Sequence, residues 1–148
     1  MIKKKIKSYY KNLRSKVFEH IHGKIMIKKN IKINFREKFE KFSEYWKPKV
    51  ITELNDYQFK LVKIKGDFIW HNHDKTDEAF IVLDGKIFIE FEEKIEEINK
   101  GEMIIVPKGV KHKPYAKTEA KIMIIEPKGV VNTGEITDKL TAPNDDWI

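Results

Sequence analysis

The sequence predicts an all-β fold, an antiparallel sandwich or barrel, and three observations carry that prediction. Between residues 50 and 127 the chain is a series of short apolar-rich stretches, each ended by a turn signal such as Asn55-Asp56, Asp84-Gly85 or Pro107-Lys108-Gly109. Almost no helical periodicity separates these stretches, so successive strands must pair antiparallel. The length of 148 residues, with 41% hydrophobic and 11% aromatic, fits one domain with a real core.

The first element is a basic extension over residues 1–30. It holds ten Lys or Arg against one acid, Glu19, whereas residues 31–148 hold twenty against twenty-two. The formal charge of +7 therefore belongs to the extension, and the rest of the chain is close to neutral. A basic pI would point to nucleic acid if it described the domain; here it does not, and the extension lacks the aromatic and basic interleaving of a nucleic-acid-binding sheet. Ile2, Ile6, Tyr9, Leu13, Val17 and Ile21 recur every three or four positions, gathering on one face of an amphipathic helix. The expectation is a helical or partly disordered segment that packs on its own domain or a second copy, or a leader upstream of a start at Met26. Contact with an acidic surface is the competing reading. No continuous apolar core follows the charges, so it is a poor secretory signal. His20 and His22, two apart on a helix, diverge and read as solvated.

Phe35, Phe39, Phe42 and Trp46 fall at i, i+4, i+7 and i+11, which predicts a short helix over 35–46 with an aromatic face. Asn34 caps it, Glu37 completes the capping box, and Pro48 stops it. Strands follow at 50–54 and 57–65, joined by a tight turn at Asn55-Asp56. Further strands are predicted at 68–73, 78–83, 86–92, 95–98, 103–106 and 120–126. The barrel core thus spans about 50–127. The tail, 128–148, is polar and is expected to run over the surface with Trp147 and Ile148 as an anchor.

There is no cysteine, which excludes a disulfide scaffold, a thiolate metal site and a thiol nucleophile, and suits a cytoplasmic setting. No apolar run reaches the roughly 18–20 residues of a membrane-spanning helix. The candidate chemistry lies in His71, His73, Glu78 and His112. His71 and His73 stand two apart on a predicted strand and leave the same face; Glu78 and His112 come from other strands. The four converge only if the sheet closes on itself, and would then form a nitrogen and oxygen donor set suited to Fe, Mn, Ni or Zn.

Parity sketches the surroundings. If His71, His73 and Glu78 point inward, so do Ile69, Phe80 and Val82, with Tyr115 as a polar lip, while Trp70, Ile81 and Leu83 point out. The outward apolar row would be uncovered in a monomer, so a homodimer is expected. Asp74 and Asp77 read as loop residues, Glu92, Glu93, Glu96 and Glu97 as hairpin end and solvent face, and Glu102 as structural.

The residues just named occur in two motifs that resemble those of the cupin superfamily. The first is Gly66, four residues, His71-Asn72-His73, four residues, Glu78, six residues, Gly85; the second is Gly101, five residues, Pro107-Lys108-Gly109, two residues, His112. Fifteen residues separate them, the short spacing of many prokaryotic cupins. The usual pattern has five residues after the first glycine, and an Asn where Ala116 stands; neither position is a ligand. The resemblance implies a conserved β-barrel (jelly roll) at about 50–127, with His71, His73, Glu78 and His112 as metal ligands. Residues 34–148 also look like a group often labelled mannose-6-phosphate-isomerase-like.

The function implied is a metal-dependent enzyme acting on a small organic molecule by oxidation or isomerisation; the alternative is a non-catalytic small-molecule-binding or sensor cupin. A sugar-phosphate substrate is disfavoured, because the only arginines, Arg14 and Arg36, precede the barrel and parity places no cation inside it. Lysines such as Lys60 or Lys121 converging on the cluster would overturn that preference.

Overall fold

The computed structural model describes residues 31–148, together with the backbone of His20–Ile21 and Lys24–Ile25. These dipeptides form β1 (His20–Ile21) and β2 (Lys24–Ile25), an antiparallel pair with His20 opposite Ile25. The helix expected there is replaced by strands at these four residues. The remaining expectations for residues 1–30 lie outside the described residues.

The unit Ile33–Ile148 contains α1 (Phe35–Phe39), β3 (Lys49–Leu54), β4 (Tyr57–Asp67), β5 (Glu78–Asp84), β6 (Lys86–Glu90), β7 (Ile95–Asn99), β8 (Met103–Val106) and β9 (Lys113–Pro127). The Asn34 side chain caps the helix as predicted, accepting from Arg36 N at 3.0 Å and Glu37 N at 3.4 Å, while the return bond of the box differs: Glu37 Oε1 accepts from the Asn34 side-chain amide at 2.9 Å rather than from its backbone N–H. The helix is Phe35–Phe39 with Glu40 as its C-cap, well short of 46, and Trp46 itself sits at φ +61, outside any right-handed helix. Phe39, Phe42 and Trp46 are nevertheless all buried.

All pairings in the main sheet are antiparallel, in the order β3-β4-β9-β5-β8, with β6 joined to both β7 and β9. The 15-residue β9 organises the fold: one edge follows β4 from Tyr57–Pro127 to Asp67–Tyr115, and the other is shared by β5 and β6. Leu54 pairs with Tyr57 across the predicted two-residue turn, where Asn55 takes φ +54.

Alternation sorts the side chains into two layers. Val62, Ile64, Phe80, Val82, Ile122 and Ile124 share the inner core. Ile81 and Leu83 face the other way and pack against Phe39, Phe42, Leu61 and Met123. The outward row is therefore half-covered by the chain's own aromatic segment, while Met103 and Ile105 on β8 stay exposed.

Most strand ends fall within two residues of the sequence reading, and two segments differ by more. Residues 68–73 make only one bridge, His71 with His112, rather than a continuous strand. β9 starts at Lys113 instead of 120 and runs through Pro114, whose carbonyl accepts from Phe68 N at 3.0 Å.

The tail does more than cross the surface. Val50 N donates to Asp146 O at 2.7 Å and Ile148 N to Val50 O at 3.1 Å, fastening the C-terminal residues along β3. Ile148 packs on the Phe39 cluster, whereas the Trp147 side chain is half-exposed. Thr133 and Ala142 are buried. Asn132 donates to Trp46 O at 3.3 Å and Leu140 O at 2.9 Å and accepts from Ala142 N at 2.9 Å. Gly134, at φ +61, lies so close over Asn72 that a Cβ would collide with its carbonyl oxygen.

Candidate metal centre

His71 and His73 lie in the extended segment between β4 and β5, Glu78 opens β5, and His112 directly precedes β9. Reciprocal backbone bonds, His71 N to His112 O at 3.0 Å and His112 N to His71 O at 2.9 Å, set these two imidazoles side by side with centroids 4.3 Å apart. One donor atom from each of the four residues lies within 4.8 Å of the others. His71, His73, Glu78 and His112 are 1%, 6%, 3% and 0% exposed.

Main-chain carbonyls orient the rings. His71 Nδ1 donates to Ile69 O at 3.0 Å and His112 Nδ1 to Val110 O at 2.9 Å, which puts the proton on Nδ1 and leaves Nε2 as an acceptor. His73 Nε2, Glu78 Oε2 and His112 Nε2 are buried without a hydrogen-bond partner. The closest approaches, 3.4 Å from each of those two Nε2 atoms to Glu78 Oε2, are too poorly directed to satisfy them. Buried polar atoms are ordinarily paired, so three orphaned donor atoms converging on one place fit a cation.

The electrostatics agree at His71 and Glu78 and run the other way at His73. Burial, helped by neighbouring His112, pushes His71 down to about 4 and keeps it neutral. Burial would raise the Glu78 carboxyl, but His112 and His73 outweigh it and hold the group down at about 2. Burial likewise opposes protonation of His73, yet Glu78 beside it moves that imidazole upward. Neutral imidazoles and an ionised carboxylate are the protonation states that metal coordination requires.

The other pocket expectations divide. Phe80 stands edge-on to His112 at 6.1 Å, Ile69 packs on the inner core and supplies the carbonyl for His71, and Val82 lies in that core. Tyr115 is not a lip of the pocket: Pro114 and Ala116 take the buried positions on either side, and Tyr115 stacks on Phe88 at 5.0 Å. Asp77 accepts from Lys108 N at 2.9 Å and Glu102 from Asn99 N at 2.7 Å, structural roles as expected.

A cavity of about 20 Å³ adjoins His71, Glu78 and Phe80, with Trp46, Pro48 and Asn132 also on its wall. A wider groove of about 1130 Å³ runs between β7, β8 and residues 107–111; it contains none of the four cluster residues, though Phe91 on its wall lies 6.5 Å from His112.

Sequence reasoning missed one feature. Gln58 and Lys60 are fully buried on the face of β4 that carries Val62 and Ile64, so a cation does lie inside. Its Nζ donates to Glu126 Oε1 at 2.7 Å. The inward parity of Val62 and Ile64, extended two and four residues back, is the signal that finds it. Lys121 instead lies over the Phe39 ring at 5.7 Å.

A curled antiparallel sheet with three imidazoles and one carboxylate on its inner wall is a barrel of the jelly-roll type with a candidate metal site. Residues 60–126 match the family model described as Cupin domain. A cupin-2 domain containing protein from Shewanella frigidimarina NCIMB 400 is 57% identical, with TM-score 0.64, covering 64% of this chain and 93% of that one. Protein NMB1881 from Neisseria meningitidis is 32% identical, with TM-score 0.61, covering 66% of this chain and 99% of that one. The uncharacterized protein YdbB of Bacillus subtilis (strain 168) is 33% identical over 79 residues, which are 53% of this chain and 70% of YdbB. The chain belongs to the cupin superfamily.

Proposed function

We propose that this cupin binds one divalent transition metal (Fe, Mn, Ni or Zn) through His71, His73, Glu78 and His112, and acts with it on a small organic molecule by oxidation or isomerisation. The observation that carries the reading is the convergence of three orphaned, buried donor atoms, His73 Nε2, Glu78 Oε2 and His112 Nε2. The bound ion would supply Lewis-acid polarisation of a substrate oxygen or, if redox-active, electron transfer with O2. The chain's own part is to aim two Nε2 lone pairs through the carbonyls of Ile69 and Val110, to keep Glu78 ionised, and to exclude water with Phe80, Trp46 and the tail around Asn132. Lys60 lies inside but is engaged by Glu126, so a sugar phosphate stays disfavoured. Pairing with a second copy through the exposed Met103 and Ile105 face of β8 belongs to the same reading.

One observation favours a second reading, a non-catalytic small-molecule-binding or sensor cupin: the cavity at the cluster, about 20 Å³, has room for little more than a water. Protein purified without a histidine tag or chelator, analysed for metals by mass spectrometry beside Glu78→Ala and His112→Ala, tests the metal site. Near-stoichiometric metal in the wild type and its loss in both variants is expected. Iron would direct the substrate search to oxygen uptake, and manganese or zinc to isomerisation and hydrolysis. A wild type that takes up no metal even on reconstitution refutes the proposal.

A further inference from the structure

The inner wall beside the cluster carries a second pair of charges. The β4–β9 ladder sets Gln58 opposite Glu126 and Lys60 opposite Ile124. The β5–β9 ladder sets Ala79 opposite Ile125, and one further antiparallel step brings Glu78 beside Glu126. Cross-strand neighbours of this kind have Cβ atoms about 5 Å apart, and both carboxylates are buried. Lys60 Nζ donates to Glu126 Oε1 at 2.7 Å and to Val130 O at 3.3 Å, and both side chains are only 2% exposed. Glu126 Oε2 has no partner, as Glu78 Oε2 has none.

Stability does not account for this pair. A buried lysine–glutamate bridge is commonly replaceable by apolar residues at no loss, because desolvation cancels the attraction. What sets this one apart is its place, one strand from the carboxylate of the cluster and out of reach of solvent screening. The two acids already sense each other: burial first, then the Glu78 charge, push the Glu126 carboxyl up to about 7 against the pull of Lys60.

We infer that Glu126 and Lys60 set the affinity of the His71, His73, Glu78 and His112 cluster for its cation, Glu126 adding attraction and Lys60 subtracting it. The inference rests on the metal-binding reading above. Neither residue is a ligand; both act through the field at the site. The roles have opposite sign, which a merely structural bridge would not show.

The test is the Zn2+ dissociation constant, measured by chelator competition on the full chain at a pH well above 7, where Glu126 is ionised, for the wild type, Glu126→Gln, Lys60→Met and the double variant, with folding checked by circular dichroism. Glu126→Gln is expected to weaken binding roughly 10- to 100-fold, the range of substitutions just outside a ligand set. Lys60→Met is expected to tighten it, and the double variant to return close to wild type. Equal weakening by both single substitutions, or no change in either, overturns the inference. If Glu126→Gln fails to fold around its unpaired lysine, Lys60→Met against the double variant decides: weaker binding in the double variant is expected, and equal binding overturns it. A wild type that binds no Zn2+ overturns the metal reading itself, a distinct failure.

Discussion

Trp46 offers a quantitative test of how the inner core is closed. It is 9% exposed, stacks on Phe68 at 4.8 Å, donates Nε1 to Lys65 O at 3.0 Å and lines the cavity beside His71. Its backbone stands at φ +61. Three substitutions separate these contributions. Trp46→Phe keeps most of the packing and gives up the indole hydrogen bond, at about 1 kcal/mol. Trp46→Ala removes the ring from a packed core, at about 3–5 kcal/mol. Trp46→Gly loses the same ring, but a residue without Cβ escapes a left-handed penalty of about 1–2 kcal/mol. Its extra unfolded-state entropy returns about 0.5–1 kcal/mol of that. The glycine variant is therefore expected to be about 0.5–1 kcal/mol more stable than the alanine variant, reversing the usual order. Urea unfolding followed by circular dichroism, with m-values compared, measures all three. A glycine variant no more stable than the alanine one refutes the backbone argument. An alanine variant within about 1 kcal/mol of wild type refutes the packing argument.

Two further predictions concern the turn at Gly85 and the response to acid. A Cβ at Gly85 would meet Glu119 O at 2.9 Å and Ala120 Cα at 3.1 Å, on a backbone with φ +78. Gly85→Ala is thus expected to cost about 2 kcal/mol or more, seen as a lower urea midpoint, and an unchanged midpoint would contradict it. His71 is held neutral in the fold, down at about 4 from 6.5, so the unfolded chain takes its proton first as pH falls. The metal-free protein should then lose about 3 kcal/mol through this group between pH 6.5 and 4. His73, raised by Glu78, works the other way, its contribution complete below 6.5 and lost as pH rises through its folded value. In chelator-treated protein the wild type should lose more stability in urea between pH 7 and pH 4 than His71→Asn does; an equal loss in both would show that His71 is not held neutral.

Much of the fold is written in local signals. The turns at Asn55-Asp56 and Asp84-Gly85, the cap at Asn34 and the inward parity of Glu78, Phe80 and Val82 all follow from a few adjacent residues, and the structure contains each of them. The four cluster residues stood out by type and spacing, although their convergence depends on the His71–His112 bridge, which joins positions far apart in sequence. What was not legible is set by distant partners. Residues 68–73 meet the chain at 112–114 only through Phe68 and the His71–His112 bridge, too sparsely for a continuous ladder, and Tyr115 is turned outward by the buried Pro114 and Ala116. The tail looks polar because its buried groups are satisfied by hydrogen bonds, as Asn132 is by Trp46, Leu140 and Ala142. The parity of Val62 and Ile64 reaches Lys60, but only its partner Glu126, on another strand, accounts for a buried cation there.

The length of β9 also governs how quickly this chain reaches its native state. Its ladder with β4 begins by joining Tyr57 to Pro127, so the central pairing of the sheet closes only when segments at opposite ends of the barrel sequence meet. Closing such a loop costs entropy before any contact repays it, and topologies dominated by distant pairs fold slowly, in roughly milliseconds to seconds. The hairpins β3–β4 and β6–β7 are local and can form early. Until β9 inserts between them, β4 and β5 present unpaired edges to other chains. The vulnerable interval for aggregation is thus the wait for one strand.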